Sequence, residues 1–183
     1  MTQQQLSDET LMAQVKNGDT HQLSILFDRY HKHLYNFFVK ISFDRELGHD
    51  LTQNVFMRVL KYSKSYRGGP VKPWLFQMAR NVYADHFRKN KLMVADYSEV
   101  ENIAHKLEAI DEAMVKSEKE KLLYLSLYKL NQEQREVLIL TRFEQMKYED
   151  VAQVLDCTVA NVKVKVHRAI KQLRAKYMEL EKI

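Results

Sequence analysis

The chain has 183 residues, with 29 lysines and arginines against 24 aspartates and glutamates, a net charge of +5 and a pI near 9.1. At roughly 150 residues per domain this length suits one domain or two small ones, and 45% hydrophobic residues are enough to close a core. Its 4 glycines and 2 prolines are too few for the turns of a sheet protein, and its single cysteine, Cys157, supports neither a disulfide scaffold nor a cysteine-based zinc cluster.

An all-α fold is therefore expected. Met1 to Thr10 is polar with no apolar run, so no secretory signal is read there. The longest apolar stretch, Leu122 to Leu130, is interrupted by Ser126 and Lys129 and falls well short of the ~20 residues that span a bilayer. These features predict a cytoplasmic protein with no membrane insertion.

In chain order, Asp8 to Lys16 reads as a short helix stopped by Asn17-Gly18. Thr20 is a candidate cap for a longer helix, in which Leu23, Leu26, Phe27, Tyr30, Leu34, Phe37, Phe38 and Ile41 recur at three and four. Asp44 is a candidate cap for a third, with Leu47, Leu51, Val55 and Val59 along one stripe. Both prolines fall in Gly68-Gly69-Pro70-Val71-Lys72-Pro73, an expected loop, and Pro73 suits the first turn of a helix from Trp74 to about Asn90. Further on, Glu112 to Leu130 is expected to be helical, and Asn131 with Gln134 resembles a capping box opening a helix to Phe143. Two last helices, Tyr148–Leu155 and Val159–Tyr177, are separated only by Asp156-Cys157-Thr158.

Charge divides the chain. Residues 1–90 carry 13 basic and 8 acidic side chains, residues 91–126 carry 5 and 8, and residues 127–183 carry 11 and 8. The acidic, least periodic middle is read as a linker over 93–111, joining a unit over 1–92 to a unit over 112–183.

Catalysis and metal binding find little support. Glu46 and His49 form a Glu-x-x-His pair, but a helical di-iron bundle needs two such pairs, and the chain has no second. His31 and His33, two apart, point to different faces of a helix. There is no phosphate-binding glycine loop and no nucleophile–base constellation. The chain is expected to be no enzyme and to need no cofactor or metal.

The last two helices have the layout of a helix-turn-helix. A helical wheel puts Val159, Val162, Val166, Ala169, Ile170 and Leu173 inside. It turns Ala160, Asn161, Val164, His167, Arg168 and Lys171 outward, with Lys163 and Lys165 on the flanks. Between Cys157 and Met178 lie six basic residues and no acid, a one-signed face suited to duplex DNA. A second signature covers Leu51 to Ala84, with Arg58, Lys61, Lys64, Arg67, Lys72 and Arg80, no acid, and interleaved Tyr62, Tyr66, Trp74, Phe76 and Tyr83. Cations among stacking rings suit unpaired bases, which offer a π-face only once unstacked. Trp74, beside Pro73 at a helix start, reads more readily as core.

These residues resemble a family. Asp50-Leu51-Thr52-Gln53-Asn54-Val55-Phe56, then Pro73-Trp74-Leu75-Phe76-Gln77-Met78-Ala79-Arg80-Asn81 and Asp85-His86-Phe87-Arg88-Lys89, resemble the second conserved region of bacterial RNA polymerase sigma factors. Leu130 to Arg135 and the helix-turn-helix ending Val162-Lys163-Val164-Lys165-Val166-His167-Arg168-Ala169 resemble the fourth. Two regions and a short linker are the layout of the extracytoplasmic-function (ECF) group of the sigma-70 family.

The resemblance implies core RNA polymerase and promoter DNA as partners. Asp50, Gln53, Asn54, Phe56 and Met57 would dock on the clamp helices of the largest subunit, and helical spacing puts Asp50, Gln53, Asn54, Met57 and Lys61 on one side. Tyr66, Arg67 and Lys72 of the loop, with Arg80, Asn81 and Arg88, would recognise the melted minus-ten element. Ala160, Asn161, Lys163, Val164, Lys165, His167, Arg168 and Lys171 would read the minus-thirty-five element, with the second unit at the polymerase flap and the acidic linker in the RNA-exit path. Many relatives are held inactive by an anti-sigma partner, which extends the expected partner set.

Three departures stand out. Asp156 replaces the usual turn glycine, Lys165 stands where an arginine is usual, and Val164 replaces a serine position of the recognition helix, so that with Ala160 it offers a methyl contact in place of a hydrogen bond. A stand-alone helix-turn-helix regulator is the alternative, and it would leave the first unit's docking face unexplained. A helical adaptor or a metal-carboxylate bundle is the rival from another class.

Overall fold

The computed structural model describes residues 6–91 and 117–182. The expected linker, 93–111, and the expected helix start at 112–116 lie outside the described residues. Among those described, every regular element is a helix.

Helix α1 (Asp8–Lys16) is opened by Ser7, whose hydroxyl accepts from the Thr10 N–H, with Asp8 and Glu9 in the positive first turn. Helix α2 (Gln22–Ser42) begins without a side-chain cap. Thr20 was expected there, but Asp19 organises the turn by accepting from the His21 N–H at 3.2 Å and the Gln22 amide at 2.9 Å. Asp44 caps α3 (Arg45–Tyr62) as its position suggests, accepting from Leu47. The α2–α3 pair is close because Gly48 lets Val39 and Tyr35 approach: a Cβ there would lie 2.8 Å from Val39 Cγ2.

A 3₁₀ turn (Ser63–Ser65) leads to a loop with Gly68 and Gly69 at φ +89°. Helix α4 (Val71–Lys91) starts three residues earlier than expected, so Pro73 still sits in its first turn. Leu11, Met12, Leu26, Leu34, Phe37, Phe38, Val55, Val59, Leu75 and Phe76 form the core of this first unit.

The second unit contains α5 (Glu118–Tyr128), α6 (Gln132–Leu138), α7 (Tyr148–Leu155) and α8 (Val159–Leu180). Asn131 caps α6 by accepting from Gln134. The helix expected to run to Phe143 instead widens into a π turn at Ile139–Phe143. It ends at Glu144, followed by Gln145 at φ +51°.

The units pack into one body, with α4 against α7 and α2 against both α6 and the π turn. Arg135 joins them. Its guanidinium donates to the Leu127, Tyr128 and Leu130 carbonyls of its own unit and to Ile41 at 2.7 Å in the other. It lies over the rings of Phe43 and Tyr128, which meet edge to face at 4.9 Å. Burial lowers the Arg135 pKa, and the four carbonyls offset that cost.

Candidate nucleic-acid interface

Helices α7 and α8 form the helix-turn-helix. Asp156 closes α7 at φ 50°, ψ 54°, the left-handed conformation that glycine usually supplies and that Asp tolerates better than most residues. Thr158 then caps α8 by accepting from Asn161. Val162, Val166 and Ala169 pack inward. Ala160, Asn161, Lys163, Val164, His167, Arg168 and Lys171 are exposed together on the outer face.

Two positions differ from expectation. Ile170 is exposed, one position of helical phase away from the fully buried Ala169. Lys165 is half-buried and ion-paired with Glu133 at the start of α6, so it lies closer to the packed side than its neighbours.

In the first unit, Arg58, Tyr62, Ser65, Trp74, Gln77, Met78 and Asn81 line a cleft of about 270 Å³ between α3 and α4. Two aromatic and two amide side chains share this lining, the combination that suits an unstacked base. Of these seven residues the sequence reading assigned only Asn81 to a site. Arg58 and Tyr62 carried a signal as part of the acid-free basic and aromatic run. Trp74, read as core, is half-buried and lines the cleft.

Tyr66 is corrected. It is 3% exposed, its phenol donates to the Gly69 carbonyl, and its ring packs edge to face on Trp74 at 5.3 Å. It buttresses the cleft from behind and shows no ring to a base. Arg67 and Asn81 are exposed, and Arg88 is exposed beside Asp85, which also pairs with Arg58.

Lys72 and Arg80 face the second unit. Lys72 Nζ donates to the Glu144 carbonyl at 2.7 Å, and Arg80 Nε donates to Glu136 Oε1 at 3.1 Å. Burial raises the Glu136 pKa, and Arg80 opposes that rise. Nothing in the local sequence around Lys72 or Arg80 signals these partners, which lie 72 and 56 residues away.

Earlier on α3, Asp50, Gln53, Asn54 and Met57 are exposed, Met57 at 68%, and Asn54 Oδ1 accepts from Arg58 Nε at 3.2 Å. Phe56 is corrected: it is 7% exposed, with its ring against Phe27 at 4.8 Å. The aromatic surface at this place is the exposed Phe27, whose ring covers Phe56; Met57 and Leu60 on α3 are exposed as well. Phe27 had been counted in the apolar stripe of α2.

Sequence comparison accounts for both units. The family description "Sigma-70 region 2" matches residues 26–92, and "Sigma-70, region 4" matches residues 121–173. The ECF RNA polymerase sigma factor SigM of Bacillus subtilis is 31% identical over 161 residues, covering 83% of this chain and 93% of the relative. SigX of the same organism is 32% identical, covering 88% and 85%. The chain belongs to the ECF RNA polymerase sigma factors.

This sigma factor directs promoter-specific transcription initiation by RNA polymerase. Its fold is similar to that of CnrH, solved in complex with the cytosolic domain of CnrY. The TM-score is 0.70 at 23% identity, over 92% of this chain and 95% of that one. It is also similar to the sigma factor RpoE of Bartonella quintana, solved with the anti-sigma factor NepR. There the TM-score is 0.69 at 24% identity, over 84% and 94%. Among the described residues no helix is long and apolar enough to cross a membrane.

Proposed function

We propose that the sigma factor divides promoter reading between its two units and acts in the cytoplasm by binding alone, with no catalysis of its own. Residues 1–92 form the unit that docks on the clamp helices of the largest polymerase subunit and takes the melted minus-ten strand. Residues 93–111 are the linker. Residues 112–183 form the unit that meets the polymerase flap and reads the minus-thirty-five element as duplex.

The observation that carries this reading is the separation of two chemically different surfaces. The outer face of α8 is basic and carries no Phe, Tyr or Trp among its reading positions, and it fits a major groove. The α3–α4 cleft combines Tyr62 and Trp74 with Asn81 and Gln77, and it fits one unstacked base. Asp50, Gln53, Asn54 and Met57, with Phe27 and Leu60, supply the polar and apolar parts of the docking face. The relatives solved with CnrY and NepR support an anti-sigma partner for this chain as well.

Reconstituted transcription with purified core polymerase tests the division. Lys163→Ala should weaken promoter binding and reduce its salt dependence by roughly one counterion. Asn81→Ala and Trp74→Ala should leave closed-complex binding intact and reduce permanganate reactivity of the melted region. A pre-melted template should restore transcription with Lys163→Ala but not with the cleft variants. Failure of both classes at one step, with one salt dependence, would refute the division.

A further inference from the structure

The loop behind the α3–α4 cleft carries little stiffness of its own. Gly68 and Gly69 both stand at φ +89°, and a Cβ at either would meet nothing within 4 Å. No packing holds them, and the wide conformational range of glycine is open to both. Three hydrogen bonds fix the loop instead. The Tyr66 N–H donates to the Ser63 carbonyl at 3.1 Å, the Tyr66 phenol donates to the Gly69 carbonyl, and Lys16 Nζ donates to the Tyr66 carbonyl at 2.6 Å. The first two are local to the loop. The third comes from 50 residues away.

Lys16 is the last residue of α1, and α1 is anchored at its other end, where Asp8 accepts from the Arg29 guanidinium and the Tyr30 phenol of α2. Between the two ends Leu11, Met12 and Val15 are buried in the core. Helix α1 is therefore a fixed arm, and the bond from its terminal ammonium is charge-assisted, stronger than one between neutral groups. The contact leads on to the cleft. The Tyr66 ring packs edge to face on Trp74 at 5.3 Å, and Trp74 is one of the two aromatic residues lining the cleft.

We propose that Lys16 is a positioning residue of the cleft: it clamps the Tyr66 backbone, Tyr66 sets the Trp74 ring, and the ring is thereby held ready for an unstacked base. Lys16 touches no base itself. The positioning route rests on geometry alone, whereas its consequence for promoter melting rests on the strand role given to the cleft above.

Trp74 is the only tryptophan of the chain, so the emission of the free protein, and its quenching by acrylamide, report on this ring alone. Lys16→Met keeps the aliphatic stem and removes the donor, whereas Lys16→Arg keeps a donor. Lys16 is exposed, so both substitutions leave the core intact. With Lys16→Met the emission should move to longer wavelength and the quenching constant should rise, at unchanged helical content. Lys16→Arg should restore the parent values. Tyr66→Leu should give the same change as Lys16→Met, and combining the two should add almost nothing, because residues acting in series on one ring are not additive. In reconstituted holoenzyme, on a promoter fragment that the parent opens, Lys16→Met should lower permanganate reactivity of the melted region about 5-fold, the equilibrium worth of one hydrogen bond. Closed-complex binding should stay unchanged.

Parent-like emission and quenching in Lys16→Met would overturn the positioning route, and a loss of opening beside them would make Lys16 a direct strand contact. Additive changes in the combined variant would overturn the route through Tyr66. A changed Trp74 signal with parent-like opening would overturn the strand role of the cleft and leave the positioning standing.

Discussion

Arg135→Met isolates the contribution of a single buried guanidinium to the joint between the units. The side chain makes four hydrogen bonds to carbonyls, at 3.1, 2.7, 2.6 and 2.8 Å, three within its own unit and one to Ile41. A hydrogen bond from a charged donor contributes ~1.5–3 kcal/mol. The four share one cation, and the substitution also removes the cost of burying its charge. A net loss of about 3–4 kcal/mol is expected, at the upper end of single-residue effects. For a chain of this size, where 1 kcal/mol moves the midpoint by about 2–4 °C, Tm should fall by about 10 °C. Methionine keeps most of the volume, so the loss reports the carbonyls left without donors. Calorimetry reads the midpoint, and amide exchange at the last turn of α2 and at α5 shows which carbonyl partners loosen. A loss below about 1 kcal/mol, with unchanged exchange at both places, would refute the joint as described.

Other substitutions test single features of the packing. Asp156→Gly relieves the left-handed strain at φ 50° and should stabilise by about 0.5–1 kcal/mol, whereas Asp156→Ala should destabilise by about 1 kcal/mol; urea denaturation reads both. Gly48→Ala forces a Cβ to 2.8 Å from Val39 Cγ2 and should cost ~1–3 kcal/mol, with Val39→Ala in the same chain recovering part of it. Burial, followed by the charge of Glu136 and opposed by Arg135, pushes the Tyr83 phenol up to about 12. Its proton is therefore held more tightly in the folded state than in the unfolded state, and its contribution is complete below pH 10 and lost between pH 10 and about 12. That loss amounts to about 3 kcal/mol by linkage, and Tyr83→Phe should remove this part of the alkaline fall in stability.

Local chemistry made much of the architecture legible in the sequence. Apolar residues at three- and four-residue spacing in α2, Asp44 before α3, Asn131 before α6 and the three-residue break between α7 and α8 each act within one turn of chain, and each was found where its spacing put it, apart from Phe27, which α2 leaves exposed. The outer face of α8 followed from the same periodicity, since a helix of known start fixes which side chains point out together. The errors inside elements were also local competitions: Asp19 displaced Thr20 at the start of α2, and the π turn after Leu138 replaced regular helix.

Tertiary structure decided what the exposed-looking cations and rings do. Tyr66 stands in a polar stretch that reads as surface and Phe56 was given a docking role by the family resemblance, yet the elements that bury them, the start of α4 and the α2 ring Phe27, come from elsewhere in the chain. Lys72 and Arg80 carry the same charge as Lys163 and Arg168, and no sequence pattern tells the two pairs apart. One pair meets glutamates from the other unit, while the other has no ionic partner among the described residues. A residue's helical phase is set by its immediate neighbours in the chain, but the partner of a charge is set by whichever segment the fold brings within about 3 Å, and that segment leaves no mark on the local sequence.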